Sequence, residues 1–132
     1  MKSLKISLLL LLLPLAQCFA QVDIADSLVS EIQSKTHYFY SLQGDITYEE
    51  GVLTLNSMKI DLKNTDIGYQ ITEDEEDHIL YFISTDGSDS FEFQQDGETM
   101  FTTDNVVHLI RTDEQAIELV VLFTLLKSIS PA

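Results

Sequence analysis

Residues 112–130, TDEQAIELVVLFTLLKSIS, decide how the rest of the chain must be arranged. Thr112 stands in an N-cap place with Gln115 three residues later, a capping-box spacing, and Asp113 and Glu114 sit against the positive end of a helix dipole. Pro131 follows, where a helix can no longer continue. Between these signals the spacing predicts one long helix. Glu114, Glu118, Thr124 and Ser128 mark its wet arc, yet Val121 and Leu125 fall in the middle of that arc, with Ile117 and Ile129 at its margins. The opposite arc, Ala116, Leu119, Val120, Phe123 and Leu126, suffices to cover a sheet. A helix apolar almost all round is covered on both sides. The expected cover for Val121 and Leu125 is the N-terminal helix, through Ile24, Leu28 and Ile32. The alternative is a partner protein or a homodimer seam.

Working back from the helix, the chain reads as short strands and turns. Val106 to Ile110 runs directly into Thr112. Before it come Met100 and Phe101, then Phe91 and Phe93 after the Asp86-Gly87-Ser88 turn. His78 to Ser84, HILYFIS, is the most continuously apolar strand and is expected at the centre of the sheet. Ile67 to Ile71 returns from a turn at Asn64-Thr65-Asp66. Met58 to Leu62 alternates apolar Met58, Ile60 and Leu62 with Lys59, Asp61 and Lys63, the pattern of a half-buried strand. Ile46 to Tyr48 and Val52 to Leu55 flank Glu49-Glu50-Gly51, a hairpin whose Gly51 supplies a positive φ. Tyr38, Phe39 and Tyr40 open this β-prone region. From Val22 to about His37, the spacing of Ile24, Leu28, Val29 and Ile32 predicts a short amphipathic helix. The fold class is therefore α+β: a short N-terminal helix, a curved antiparallel sheet of about seven strands in consecutive hairpins, and a C-terminal capping helix.

The first twenty residues have the composition of a signal peptide. Lys2 and Lys5 precede an apolar core, Ile6 to Leu13 with Leu15 and Ala16, that is shorter than the ~20 residues a bilayer span requires. Cleavage after Ala20 is favoured over lipidation at Cys18, because Gln17 is not the small residue a lipoprotein signal needs. The reading is of an exported protein, periplasmic or extracellular, with residues 21–132 forming one domain and no stable membrane insertion once the signal is gone. Its loss leaves 5 basic against 22 acidic residues, so the net charge moves from −15 to −17. Such a surface repels nucleic acid phosphates and anionic headgroups. With Cys18 removed no cysteine remains, so neither a disulfide nor thiol chemistry is open to the domain.

The order of elements from Tyr40 to Ile129, about seven antiparallel strands and then one helix, resembles the pleckstrin-homology-like roll. The resemblance implies a scaffold that commonly binds peptide or protein. The lipid-binding members use a basic first hairpin, whereas Asp45, Glu49 and Glu50 occupy that place here. The chain is also similar to small exported proteins of Gram-negative bacteria. A cystatin-like layout, with the helix ahead of the strands, is the other arrangement the order allows.

No stretch carries a recognisable catalytic pattern. His37, His78 and His108 lack the close spacing of a zinc motif, and His108, alternating with Val106 and Ile110 on one face or with Val107 and Leu109 on the other, reads as a strand-packing residue. Glu73-Asp74-Glu75-Glu76-Asp77 has carboxylates for calcium but no Gly to let the chain wrap an ion; it reads as a solvated hairpin tip. Asp86-Gly87-Ser88-Asp89-Ser90 with Glu92 lacks the D-x-D-x-D-G order and reads as a turn. Ser57, Ser84 and Ser90 lack a nucleophile elbow, and the glycines stand singly.

The sequence thus points to a non-enzymatic module, without metal or cofactor, that binds another protein or itself. Tyr38, Phe39, Tyr40, Val121 and Leu125 are the contact candidates. A binder of a small apolar or cationic ligand, lined by Tyr69, Tyr81, Phe82, Phe91 and Phe93, is the alternative. A carboxylate-based hydrolase ranks last.

Overall fold

A computed structural model describes residues 17–42, 46–73 and 77–131, with side chains from Asp23 onward. Most of the expected signal peptide, Asp45 of the first hairpin and most of the acidic tip lie outside these residues. Helix α1 spans Gln17–Gln33 and is followed by a 3-10 turn, Thr36–Tyr38. Eight strands come next: β1 (Thr47–Glu49), β2 (Val52–Leu55), β3 (Met58–Asp61), β4 (Thr65–Ile71), β5 (His78–Ser84), β6 (Phe91–Gln95), β7 (Glu98–Thr103) and β8 (Asn105–Ile110). Helix α2, Asp113–Ser128, ends the domain.

The fold class is the expected α+β, but the strands form two antiparallel sheets in place of one curved sheet. Five strands run in the order β1-β2-β3-β6-β7 and three in the order β4-β5-β8. Local turn chemistry makes three of the hairpins. Glu50 and Gly51, then Asn56 and Ser57, then Asp96 and Gly97 all have positive φ, which gives two-residue turns of the twist that adjacent strands require. Three other expected hairpins, β3–β4, β5–β6 and β7–β8, do not form, because each pair is split between the two sheets. A 3-10 turn at Leu62–Asn64 carries the chain out of β3 into the second sheet, and the Asp86-Gly87-Ser88 turn carries it back, so that β6 pairs with β3 and β8 with β5. The long-range pairings depend on which face each strand buries, a property no turn residue encodes.

Thr112 caps α2: its hydroxyl accepts the Gln115 backbone N–H at 3.2 Å. The reciprocal half of the capping box is not made, since the Gln115 Oε1 is buried without a partner. Ala116, Leu119, Phe123 and Leu126 form the buried face of α2, and Phe123 meets Phe82 of β5 edge-to-face at 5.2 Å. On α1 the buried Ala25 and Ile32 and the half-buried Leu28 and Val29 recur at helical spacing and pack on the same core. Leu53, Leu55, Ile60, Leu80, Phe91 and Ile110 fill it from the two sheets, each fully buried side chain contributing roughly 1.5–3 kcal/mol.

The chain end closes one side of this core. The Ser130 hydroxyl lies 2.9 Å from the Tyr48 hydroxyl and donates to the Leu126 carbonyl at 2.7 Å. Pro131 rests on Gly51, where an added Cβ would stand 3.3 Å from its ring. Gly51 therefore serves both the positive-φ turn and this close approach.

Candidate interaction surface

The two sheets differ in what they show to water. On the five-stranded sheet one cross-strand row facing outward reads Thr47, Thr54, Lys59, Glu92 and Thr102, all polar. The outward rows of the three-stranded sheet are Gly68–Tyr81–Val107, Gln70–Ile79–Leu109 and Asp66–Ile83–Asn105. Five of these nine positions are apolar or aromatic. Val107 is 60% exposed, Leu109 47% and Ile83 42%, while Ile79 and Tyr81 are half-buried between them. Since α2 covers the inner face of this sheet, through Phe82 and its neighbours, strand β5 is apolar on both faces and covered on only one.

Tyr40 extends this face by one position. Its N–H donates to the Leu109 carbonyl at 3.1 Å, the Arg111 N–H donates to the Tyr38 carbonyl at 2.9 Å, and Phe39 bridges to Ile110. The segment 38–40 thus lies along β8 like a short extra strand. Tyr40 is 56% exposed, and the Arg111 guanidinium stacks 4.7 Å from its ring centroid. Between β5 and β8 the surface forms a shallow depression of about 420 Å³, lined by Ile79, Tyr81, Ile83 and Val107, with Asp104 and Gln70 on its rim. The Tyr81 ring lies across Gly68, whose missing side chain leaves room for it.

The five residues selected from sequence as contact candidates are separated by the fold. Phe39 is 3% exposed and belongs to the core, a correction that follows from its pairing beside the inward-facing Ile110. Tyr38 is half-buried and donates through its hydroxyl to Glu118 at 3.0 Å, within a network in which Lys35 also reaches Glu118 at 3.2 Å. Tyr40 alone of the three reaches the outer sheet face. Val121 and Leu125 lie on α2, across the sheet from Tyr40, and are 52% and 41% exposed. The packing of α1 upon them is therefore not what forms. Helix α1 meets α2 to one side and leaves Ile117, Val121 and Leu125 as a solvent-facing stripe at intervals of four.

Val107, Leu109, Ile79 and Ile83 escape a reading from sequence because an unbroken apolar strand reads as buried on both sides. The usable signal is the balance of layers. One capping helix can cover one face of a small sheet, and HILYFIS needs two.

The remaining polar clusters are accounted for locally. His108 faces inward with Val106 and Ile110; its ring meets Phe39 at 5.6 Å and Phe82 at 6.3 Å, and Nε2 has no partner. Burial alone pushes its pKa down, to about 4. At the start of α2, Asp113 accepts the Tyr69 hydroxyl and lies 4.0 Å from His78 Nδ1; the carboxylate raises the Tyr69 pKa. Asp86 accepts from the Ser84 hydroxyl at 2.8 Å and from the Ser88 hydroxyl and N–H at 2.6 and 2.9 Å, and these bonds hold its pKa at about 2. Its loop closes on itself as a turn. Among the described residues no three His, Cys, Asp or Glu side chains converge as a metal site would require. The aromatic residues suggested for a ligand cavity are dispersed: Phe82 and Phe91 are wholly buried, Phe93 stacks on Phe101 at 5.0 Å, and Tyr81 lies on the outer face. An open groove of about 490 Å³ between α1 and the chain end is lined by Ala25, Asp26, Tyr48, Glu50 and Pro131 among others. Among the described residues no helix is long and apolar enough to cross a membrane. No family model matches the chain, and no curated protein or solved structure matches it significantly.

Proposed function

We propose that this is a non-enzymatic interaction module of the exported compartment, and that it works by docking protein on the outer face of the β4–β5–β8 sheet. One observation carries the reading: Ile79, Tyr81, Ile83, Val107, Leu109 and Tyr40 make a contiguous apolar face on a chain whose net charge is −15. The exposed apolar area is on the order of 400 Å², the size of the largest patches on monomers, which are often functional. One outward row of the other sheet is wholly polar, while Met100 and Phe101 of its edge strand β7 are exposed. The pleckstrin-like order of elements agrees with a scaffold for protein or peptide. The stripe Ile117, Val121 and Leu125 offers a second, narrower docking row, edged by Glu114 and Glu118.

A photoreactive residue placed at position 107, at 121, or at the polar control position 59 tests this in the cell that makes the protein. The expected outcome is a discrete covalent adduct from position 107 and none from 59. Adducts from 121 alone would move the function to α2, and adducts from none of the three would remove the proposal.

A further inference from the structure

We propose that the partner seated on the outer face of the β4–β5–β8 sheet is a second copy of this chain, related by a two-fold axis near Val107 with the two β8 strands antiparallel across the seam. This rests on the reading above and names its partner.

The charges bordering the face have the pattern a two-fold contact needs. Arg111 follows the C-terminal end of β8, its guanidinium stacked on the exposed Tyr40 and its Nε donating to the His37 carbonyl at 3.0 Å. Asp104 lies at the N-terminal end, on the rim of the depression that Val107 lines. Their separation along the strand is about 24 Å of extended chain, with Val107 near the midpoint. When one copy is turned over onto the other with β8 antiparallel, Arg111 of each approaches Asp104 of the other, and Val107, Leu109 and Tyr81 meet at the centre. Aligned sheets pack with such interdigitation about 10 Å apart, crossing at roughly 30°, an offset that an Arg side chain can span. An isologous contact sets residue i of one copy against j of the other and j against i, so charges of opposite sign about the centre make the face self-complementary.

The edges of the same sheet are partly protected against the competing mode, in which strands add edge to edge. The last part of the outer edge of β8 is paired by residues 38–40 through the Tyr40–Leu109 and Arg111–Tyr38 backbone bonds. The free edge of β4 carries Asp66, which pairs with Lys127 of α2 at 3.7 Å. Charged residues on an edge discourage strand addition.

The affinity is modest. With its polar rim, a contact of this face buries roughly 1,000 Å² over both copies, at the low end for specific pairs. The net charge of −15 on each copy opposes the approach, as do Glu73 and Asp77 at the hairpin tip beside the Arg111 end. Added salt screens this long-range repulsion and tightens the dimer, whereas salt weakens a complex with a basic partner.

The test uses the protein purified from cells expressing the full-length chain, its N-terminus identified by mass spectrometry. Light scattering or sedimentation over roughly 1–500 μM is expected to show a monomer–dimer equilibrium, tightening between low and moderate salt. Arg111→Asp and Asp104→Arg should each weaken it at least tenfold. An equimolar mixture of the two variants should dimerise again. In the mixed pair the aspartate introduced in one chain faces the arginine introduced in the other, and the native Arg111 of one faces the native Asp104 of the other. Circular dichroism confirms that each variant is folded, and Val107→Asp, at an exposed position, serves if Arg111→Asp is not. A chain monomeric at every concentration, variants that dimerise as the parent does, or a mixture that stays monomeric would each overturn the second copy as partner. If position 107 nevertheless forms an adduct with a different protein, the interaction face stands and only its occupant changes.

Discussion

Lowering the pH from 7 to 4 should destabilise the fold through one side chain. His108 is packed between the Phe39 and Phe82 rings with Leu80 directly across the strand pair, and its pKa is pushed from 6.5 to about 4 by burial. The depressed pKa means that the unfolded chain takes up a proton near pH 6.5 while the folded chain resists until about pH 4. The unfolded state therefore binds more protons between these values, and stability falls as the pH falls through that window. The drop from 6.5 to about 4, at ~1.4 kcal/mol per pH unit, gives a loss of about 3 kcal/mol by pH 4, a large share of a typical stability of about 5–15 kcal/mol. Carboxylates also titrate near the bottom of the range, so the measurement is a difference. Urea unfolding of the parent and of His108→Leu is followed at half-unit steps from pH 7 to 4. The parent should lose ~3 kcal/mol relative to the variant. At pH 7 the variant should be no less stable, because it removes a buried nitrogen that has no partner. A stability difference that does not change with pH, or a His108 ring that titrates near 6.5 by NMR, would refute the burial argument.

Three further outcomes follow from single contacts. Thr112→Ala removes the cap on Gln115 and should cost about 1 kcal/mol, read as a fall of several degrees in Tm. Phe123→Ala opens a cavity against Phe82 under α2 and should cost about 3–5 kcal/mol by denaturant titration. Because Ser88 and Ser84 hold Asp86 as a carboxylate, its NMR titration should centre near 2; the stability it adds is present above about 4 and lost as the pH drops through 2, and Asp86→Ala should flatten that part of the profile.

What can be read from the sequence is local, and what escapes it is global. The cap at Thr112, the stop before Pro131, the positive φ of Gly51 and the bounds of β5 at His78–Ser84 follow from short-range chemistry, and all four stand in the structure. The division into two sheets escapes. Asn64-Thr65-Asp66 and Asp86-Gly87-Ser88 have the composition of hairpin turns, but each carries the chain between layers, and composition does not distinguish the two uses. Side-chain direction escapes as well. Phe39 and Tyr40 are adjacent and chemically alike, and the pairing of Phe39 with Ile110 alone decides which enters the core. The stripe of Val121 and Leu125 is legible as an excess of apolar residues; which neighbour would cover it depends on where α1 comes to lie.

The same geometry explains how an apolar face persists on a protein that must stay dispersed. Folding gains little from Val107 and Leu109, about half of whose surface remains in water, so these residues are not accounted for by stability. Aggregation through them is held back by two features of the fold. Strand addition at the sheet edges is discouraged by residues 38–40, which pair the last part of β8, and by the charged Asp66 and Lys127 beside β4. The charge of −15 raises the concentration at which two faces meet. A two-fold contact is closed, because each copy's face is taken by the other and the contact itself does not propagate. Substituting Val107 should therefore change association and leave the unfolding midpoint nearly unaltered, whereas Phe82 on the opposite face of the neighbouring strand should do the reverse.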